Sequence, residues 1–558
     1  MRQILPVLLL LAMLTPLHAK TGRTFYTDAK LAAAAAKVKQ FTWAQAAATG
    51  AETAASRWVQ MSDQELWDFV PPPEQLRALN VSFGVDCPVH GAEIFRRAGH
   101  YPWITTDDRP FKVKCPVGGE EYPSNDFKPW NPNSIKEAPQ KGPGYVDTGA
   151  GWVNDKGQRF FFVGYYVFWH RWQKQVLPAV SQLAQAYLVS GKPIYAHKCA
   201  VLMSKIASDY ERFDYPTQAY HNGLWPAKIG GRILDYIWTT GTTTNMAKAY
   251  DAIYPALSEP ELLAFLKTQQ LDDPRKLIEQ KMLVTMAKDI MRGFIKGNEG
   301  MHQQALATTA IVLDNTDPSQ GPTTKQMTDW IMTGPGDSEF LLWDGFYRDG
   351  HGGESSPGYS SGWVSNYYQV AELLPMLGVD IWSNPKLKKM ADIGLDLVVA
   401  GIGTPSIGDS GGIAGSGKVG WAAGIQGPAF MHYKDPRFAQ ALIQMGAAGE
   451  SLFDSDFDPE EVAAAAKNAD GRLDYKTRNL GGYGLAVLES GYGANRRGVS
   501  MYYGHAGGGH GHRDRLTIEM LDSRFKAPVL SDMGYPAHWL EKNELWTSNT
   551  VSHYAVLV

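Results

Sequence analysis

Three cysteines in 558 residues are too few for a disulfide framework, which separates this chain from small secreted domains stapled by cystine. Charge of one sign is also missing. With 53 basic and 57 acidic residues the formal net charge is -4, so no positive excess holds nucleic acid non-specifically, and any polyanion must be met locally. Beyond the first residues there is no long apolar run, which argues against a later membrane span. The one early run, 4–14, follows Met1-Arg2-Gln3 and precedes Thr15-Pro16-Leu17-His18-Ala19. It is short for a span, and its positive start and small residue at the cut site read as a secretory signal over 1–19, with an uncleaved anchor as the alternative. A signal without later spans predicts a periplasmic or secreted soluble protein with no stable membrane span after cleavage.

What is present in quantity is aromatic. The 17 tryptophans and 26 tyrosines suit stacking on sugar rings as well as ordinary cores. Residues 28–70 are alanine-rich and helix-friendly up to Pro71-Pro72-Pro73, predicting a leader helix pair. Residues 81–150 are dense in Gly, Pro, Trp and Tyr without a helical period, as in Glu121-Tyr122-Pro123-Ser124-Asn125-Asp126-Phe127, and 20–150 is read as a helical and loop-rich cover. Helix-like blocks then recur at 165–190, 193–210, 231–254, 260–272, 274–297, 301–313 and 364–377. Such helices bury their apolar stripes on one another as a bundle, a solenoid or an (α/α) toroid, and the lack of a fixed repeat argues against the solenoid. The toroid is assigned to 151–470. Beyond it, short alternating runs at 481–489, 499–503, 516–521, 528–531 and 551–558 predict β structure over 471–558. The fold class is therefore multidomain α+β, a toroid followed by an antiparallel β-sandwich. About 85 residues are few for a complete sandwich, so the β part is expected to be cut short at its C-terminus.

Two short segments, Cys87-Pro88-Val89-His90-Gly91 and Cys115-Pro116-Val117-Gly118-Gly119, look like the knuckles of a zinc ribbon, but Gly118 stands where a fourth ligand would sit. A Cys87–Cys115 disulfide, adding roughly 3 kcal/mol by restricting the unfolded chain, is the competing reading. Cys199 falls in a helical stretch and reads as a buried residue.

Three polar motifs carry chemistry. In Gly504-His505-Ala506-Gly507-Gly508-Gly509-His510-Gly511-His512-Arg513-Asp514-Arg515, imidazoles that can bind metal or move protons sit in a glycine-rich turn ahead of a strand. In Lys296-Gly297-Asn298-Glu299-Gly300-Met301-His302-Gln303, Asn298 and His302 are four apart. They share a face if a helix begins near Asn298, whereas the plainer reading makes Asn298 an N-cap and His302 a packed helix histidine. Tyr347-Arg348-Asp349-Gly350-His351-Gly352-Gly353-Glu354-Ser355-Ser356-Pro357-Gly358-Tyr359 is a polar loop ahead of an aromatic helix, and its last tyrosine is either a packing residue or a phenol aimed into a cleft.

Taken in order with Pro405-Ser406-Ile407-Gly408-Asp409-Ser410-Gly411, these motifs resemble the heparinase II/III-like polysaccharide lyases, with the related alginate and oligo-alginate lyases, over roughly residues 220 to 558. The resemblance implies an incomplete (α/α) toroid followed by antiparallel sheets, an active cleft between them, and an acidic polysaccharide or oligosaccharide as substrate. It implies β-elimination at a 4-linked uronate, for which the carboxylate must be neutralised before the C5 proton can leave. Asn298 would neutralise it, with His302 or Gln303 as further donors, and Tyr359 and His510 would act as acid and base. Gln303, Glu354 and Arg348 are placed around the substrate. A structural Zn2+ is implied on His512, Asp532 and His553, with Asp514 as a rival ligand or a partner orienting an imidazole. Arg232, Lys228 and Arg513 could also meet sulfates or carboxylates. The two cysteine segments do not belong to the core lyase plan and suggest an added cover.

Two other classes compete. Toroids also host inverting glycoside hydrolases, for which Glu299, Asp349 and Glu354 could supply the two carboxyls. A noncatalytic glycan-binding protein on the same fold is the third reading.

Overall fold

The structure, a computed structural model, describes residues 20–73, 87–122, 152–153, 159–160, 162–218, 230–446, 451–453, 459–468, 473, 476–505, 507–535 and 545–555. The expected signal, Lys228, and 123–127 of the aromatic cover motif lie outside the described residues. Helices dominate as far as Pro459–Lys467, and a five-stranded antiparallel sheet follows.

Local chemistry accounts for many helix starts. Ser62 and Glu65 close a reciprocal capping box on Asp63–Phe69, and Thr323 and Gln326 do the same for Thr324–Met332. Proline occupies the first turn of Pro193–Asp209, Pro260–Thr268, Pro357–Leu373, Pro385–Asp396 and Pro436–Met445, where its missing N–H costs nothing. The leader is three helices rather than a pair: Asp28–Gln40, Thr42–Val59 and Asp63–Phe69.

The helices form a row in which each packs on the next: Thr42–Val59, Leu177–Ser190, Trp238–Ile253, Met301–Leu313, Pro357–Leu373, Ala423–Tyr433, Pro436–Met445 and Pro459–Lys467. The two ends of the row approach one another. The Tyr26 ring packs edge-on against Phe453 at 5.4 Å, and Lys37 Nζ donates to the Ser451 carbonyl at 3.2 Å. One continuous apolar core runs along the row, from Phe25 and Trp58 through Met203, Tyr250 and Ala307 to Phe438 and Val462.

Several boundaries differ from expectation. Within the 165–190 block, Tyr166–Val176 is wound as wide π turns before the α-helix Leu177–Ser190. The 231–254 block becomes helical only at Trp238. The helix expected from 364 begins at Pro357, because proline at the first position pre-sets the turn, and Tyr359 thereby lies inside the helix rather than in the loop before it.

The small hairpins are β1 (Val113–Lys114) with β2 (Glu121–Tyr122), and β3 (Trp152–Val153) with β4 (Arg159–Phe160). The main sheet is a meander, β5 (Arg478–Leu480), β6 (Leu485–Ser490), β7 (Arg497–Tyr502), β8 (Thr517–Asp522) and β9 (Ala527–Leu530), each paired antiparallel with the next. Among the described residues no second sheet faces it, and the antiparallel strands form a single layer. Leu480, Leu485, Val487, Tyr502 and Leu521 instead pack on Ile393, Leu397, Val399 and Ile407 of the helical part. The run at 551–558 is also not a strand where it is described: Thr550–Ser552 is a single 3₁₀ turn, and Ala555 makes an isolated bridge to Thr517. No helix among the described residues is long and apolar enough to cross a membrane.

The chain entry is pinned by one buried carboxylate. Asp251 accepts the backbone N–H groups of Thr24, Phe25 and Tyr26 at 2.8, 3.0 and 2.7 Å and pairs with Lys20 Nζ at 2.7 Å. Removing it strands a buried ammonium and three amides. Asp251→Ala is expected to lower stability by about 3–5 kcal/mol, read as a fall in the denaturant midpoint at unchanged slope. A loss under about 1 kcal/mol would mean that water replaces these bonds.

Candidate active site

Two loops of the helical part lie on the sheet and are tied to it by carboxylates that accept backbone N–H groups. Asp349 takes those of Gly482 and Tyr483 at 2.8 and 2.9 Å. From the sheet side, Asp514 takes Gly408 at 2.7 Å, Glu519 takes Ser406 at 2.8 Å and Glu489 takes Ala400 at 2.9 Å. Burial raises the pKa of Asp514, and pushes that of Glu519 up to about 8. Direct backbone pairing adds Ser355 N–H to Gly507 O and Asp409 N–H to His510 O, at 3.0 and 2.9 Å.

This seam brings residues 354, 359, 409, 510 and 535 together. The Tyr359 ring stacks on the His510 imidazole with centroids 3.3 Å apart and planes within 6°. The Tyr359 hydroxyl is 2.8 Å from the Tyr535 hydroxyl, and His510 Nδ1 is 2.8 Å from Glu354 Oε2. Glu354 is itself held by Trp363 Nε1 at 3.1 Å. With Nδ1 on the carboxylate, the tautomer leaves Nε2 of His510 as the proton acceptor. Burial raises the Tyr359 pKa, opposed by the Tyr535 hydrogen bond, while the charges of Asp409 and Glu354 raise it further. Tyr359 is the third residue of its helix, where the positive end of the peptide dipoles favours a transient phenolate. Tyr535 was not singled out from the sequence. Tyr-Pro after a glycine carries no chemical signature, and only the register of the chain after β9 brings it to Tyr359.

A group of stacked aromatic rings lies within electrostatic reach of this cluster. Tyr101 stacks on Trp169 at 4.9 Å, and Trp238 lies 5.5 Å from Trp169. The Tyr101 pKa is raised by burial, then by the charges of Asp235 and Tyr359, and Tyr101 in turn acts on Tyr535. The cover thus reaches the seam.

Asn298 and His302 do not share a helix face. The helix begins at Met301 with Gly300 as its cap, and Asn298 lies in the preceding turn, exposed, its carbonyl accepting Met301 N–H at 3.0 Å. His302 is buried, its ring edge-on to Trp330, and burial lowers its pKa. Gly300 abuts Asn366 and Tyr367 of the Pro357–Leu373 helix, and Gly297 abuts Thr240 beside Trp238. Asn366 is seven residues beyond Tyr359, so Gly300 packs on that helix about 10 Å along its axis from Tyr359.

Gln303, expected near substrate, is fully buried. Its oxygen accepts Gly300 N–H at 2.9 Å and its amide donates to Glu299 and to the Gly336 carbonyl, so both donor protons are committed to closing the helix start. Arg348 is exposed and lies over Gly481 at the β5–β6 turn, apart from the Tyr359 cluster. Arg232 is spent on an ion pair with Asp289 at 2.5 Å. The three carboxyls considered for hydrolysis are engaged too: Glu299 on Gln303, Asp349 on the sheet and Glu354 on His510.

His512, Asp532 and His553 come together in one buried cluster. His553 Nδ1 is 2.6 Å from Asp532 Oδ2, His512 Nε2 is 2.9 Å from Asp409 Oδ1, and the two rings are 5.7 Å apart. His512 Nδ1 and His553 Nε2 are buried without partners, a donor set of the kind a divalent ion would satisfy. The three do not form a set whose ligand atoms all lie within 4.8 Å; among the described residues that spacing is met by Cys87, His90, Cys115 and Glu120.

The coarse class is a mostly helical chain carrying a C-terminal antiparallel sheet, with a tyrosine–histidine pair at the seam. No known protein-family profile matches the chain, and no curated protein does. Among solved structures it is similar to a heparinase III gene product, at 15% identity and TM-score 0.42 with 69% of this chain and 55% of that one covered. It is also similar to a heparan sulfate lyase mutant from Pedobacter heparinus, at 16% identity and TM-score 0.42, covering 74% and 57%, and to a further heparinase III structure, at 12% and 0.41, covering 69% and 54%. The chain spans little more than half the length of these structures.

His351, next to the cluster, is stacked on Tyr483 at 3.7 Å, and burial pushes its pKa down to about 4 from 6.5. The folded state therefore favours the neutral ring. Its contribution is complete above pH 6.5 and is lost as pH falls toward 4, a change of roughly 3 kcal/mol. Stability measured against pH should show this acid limb, and His351→Gln should flatten it. An unchanged slope in the variant would place the limb on other groups.

Proposed function

We propose that this chain is a polysaccharide lyase that cleaves a uronate-containing glycan by β-elimination, in a cleft between an (α/α) toroid and the sheet. The observation that carries the reading is the stacked Tyr359–His510 pair, with Tyr359 hydrogen-bonded to Tyr535 and His510 held by Glu354. The approach of the two ends of the helical row supports the toroid, read as 151–470 between the 20–150 cover and the 471–558 β part.

In this mechanism the exposed Asn298 amide donates to the uronate carboxylate and lowers the cost of the enolate-like charge that develops at C5. His510 Nε2, left as the proton acceptor by the bond from Nδ1 to Glu354, takes the C5 proton. Tyr359, whose raised pKa keeps the phenol protonated, donates to the leaving glycosidic oxygen, and Tyr535 holds that hydroxyl in line. If the substrate presents the C5 hydrogen and the leaving oxygen on one face, Tyr359 performs both transfers, its phenolate stabilised by the helix start. Tyr101, Trp169 and Trp238 offer rings on which a sugar can stack. His302 acts behind Asn298 as a packing residue, and Arg348 meets the outer part of a long anionic chain. A Zn2+ on His512 and His553 with Asp532 would brace the sheet behind His510. The signal reading places the enzyme in the periplasm or outside the cell.

A lyase creates a conjugated C4=C5 double bond that hydrolysis does not. Incubation with a panel of uronate polysaccharides is expected to give rising ultraviolet absorbance on one of them, and Tyr359→Phe should cut that rate by about 10²–10⁴. New reducing ends without absorbance, retained in Tyr359→Phe and lost in Glu354→Gln, would establish hydrolysis. Saturable binding without either signal would leave a glycan-binding protein.

A further inference from the structure

The cover carries a site that the elimination chemistry does not use. Residues 87–91 and 115–119 fold as two equivalent turns. Gly91 N–H donates to the Cys87 carbonyl at 2.8 Å and Gly119 N–H to the Cys115 carbonyl at 3.0 Å, both glycines with positive φ. The return bonds run from Cys87 N–H to Gly91 O and from Cys115 N–H to Glu120 O, at 3.2 and 2.8 Å. This repeats the knuckle geometry in which a cysteine and a residue three positions later face one ion. In the second turn that later position is Gly118, and the space a side chain would fill there is occupied by the His90 ring and the Glu120 carboxylate. The fourth donor has moved two residues along the chain.

Cys87 and Cys115 are buried free thiols. His90 Nδ1 lies 3.7 Å from Cys87 Sγ, 3.6 Å from Cys115 Sγ and 3.3 Å from Glu120 Oε2. One ring nitrogen carries at most one proton and cannot serve three acceptors, and Glu120 Oε2 is buried without a hydrogen bond of good geometry. Zinc bonds of about 2.3 Å to sulfur and about 2.0–2.2 Å to nitrogen and oxygen, at tetrahedral angles, place sulfur and nitrogen about 3.5 Å apart and nitrogen and oxygen about 3.4 Å apart. The observed separations are those edges. We propose that Cys87, His90, Cys115 and Glu120 bind one Zn2+ ion tetrahedrally, as two thiolates, one imidazole and one carboxylate, in a structural site that clamps the two turns together.

The chemistry of the surroundings agrees. Around the site lies a small separate core, Ile94, Phe95, Trp103, Val113, Tyr122, Phe162 and Tyr165, too few residues to hold a fold unaided. Tyr122 stacks on Phe162 at 4.8 Å, which joins the clamp to the helix carrying Trp169. Tyr101 belongs to the same cover, so zinc here would steady the aromatic wall of the cleft from a distance.

The test uses the full purified chain. Metal analysis is expected to give a zinc equivalent that is lost in Cys115→Ser and kept in His553→Ala, which separates this ion from any on the sheet. X-ray absorption at the zinc edge of the unmutated protein should show sulfur neighbours at about 2.3 Å, which His512, His553 and Asp532 cannot supply, a result that needs no variant to fold. Glu120→Gln, which keeps shape and folding, should weaken zinc binding by at least about tenfold. All three thiols should titrate in denaturant with a chelator and without reductant. A single titrating thiol would reveal a Cys87–Cys115 disulfide and overturn the proposal. So would a zinc content unchanged between Cys115→Ser and the unmutated protein, or reduced folded protein that fails to take up added Zn2+.

Discussion

The arrangement depends on carboxylates that accept backbone N–H groups across the boundary between helices and sheet. Asp349 reaches from the helical part to the β5–β6 turn, and Glu489, Asp514 and Glu519 reach back from the sheet to the loop 398–411. The bonds of Asp514 and Glu519 are buried, where a missing partner costs the full desolvation of the group, and those of Asp349 and Glu489 are partly buried. Together they fix the height of the Pro357–Leu373 helix start over the 504–515 turn. Tyr359 and His510 lie on opposite sides of that seam, and their stacking follows from it.

The same seam covers one face of the sheet. Its apolar face is covered by Ile393, Leu397, Val399 and Ile407, so the helical part does the work that a facing sheet does in a sandwich. The seam also gathers unusual buried polar groups: His351, whose pKa burial lowers to about 4, Glu519, whose pKa burial pushes up to about 8, and histidines 512 and 553 with one ring nitrogen each unpartnered. Such groups concentrate where ions are bound or protons moved.

The cover contributes at two places. Through Tyr101 it reaches the Tyr359 cluster, and through its cysteine turns it forms a compact donor set of its own. These places are joined by aromatic packing along the Phe162–Val176 stretch, where Phe162, Tyr165 and Trp169 pack with the cover while Trp172 and Val176 belong to the main core.

Local chemistry determined a good deal without help. Proline-led helix starts, the alternating runs of β6 to β8 and the glycine-rich histidine turn ahead of a strand all follow from neighbours in the chain, because dihedral preference, capping and side-chain period act over a few residues. The polar motifs at 347–359 and 504–515 were legible for the same reason, as clusters too rich in glycine and ionisable groups for ordinary packing. What local chemistry left open was contact at long range. Asn298 looked like a helix residue paired with His302 until the Gly300 cap set the start at Met301, three positions later. Gln303 read as a ligand donor until burial committed its amide, and Glu120 and Tyr535 had no signature at all. Each was decided by which distant backbone came within hydrogen-bond reach, a property of tertiary packing that no spacing along the chain encodes.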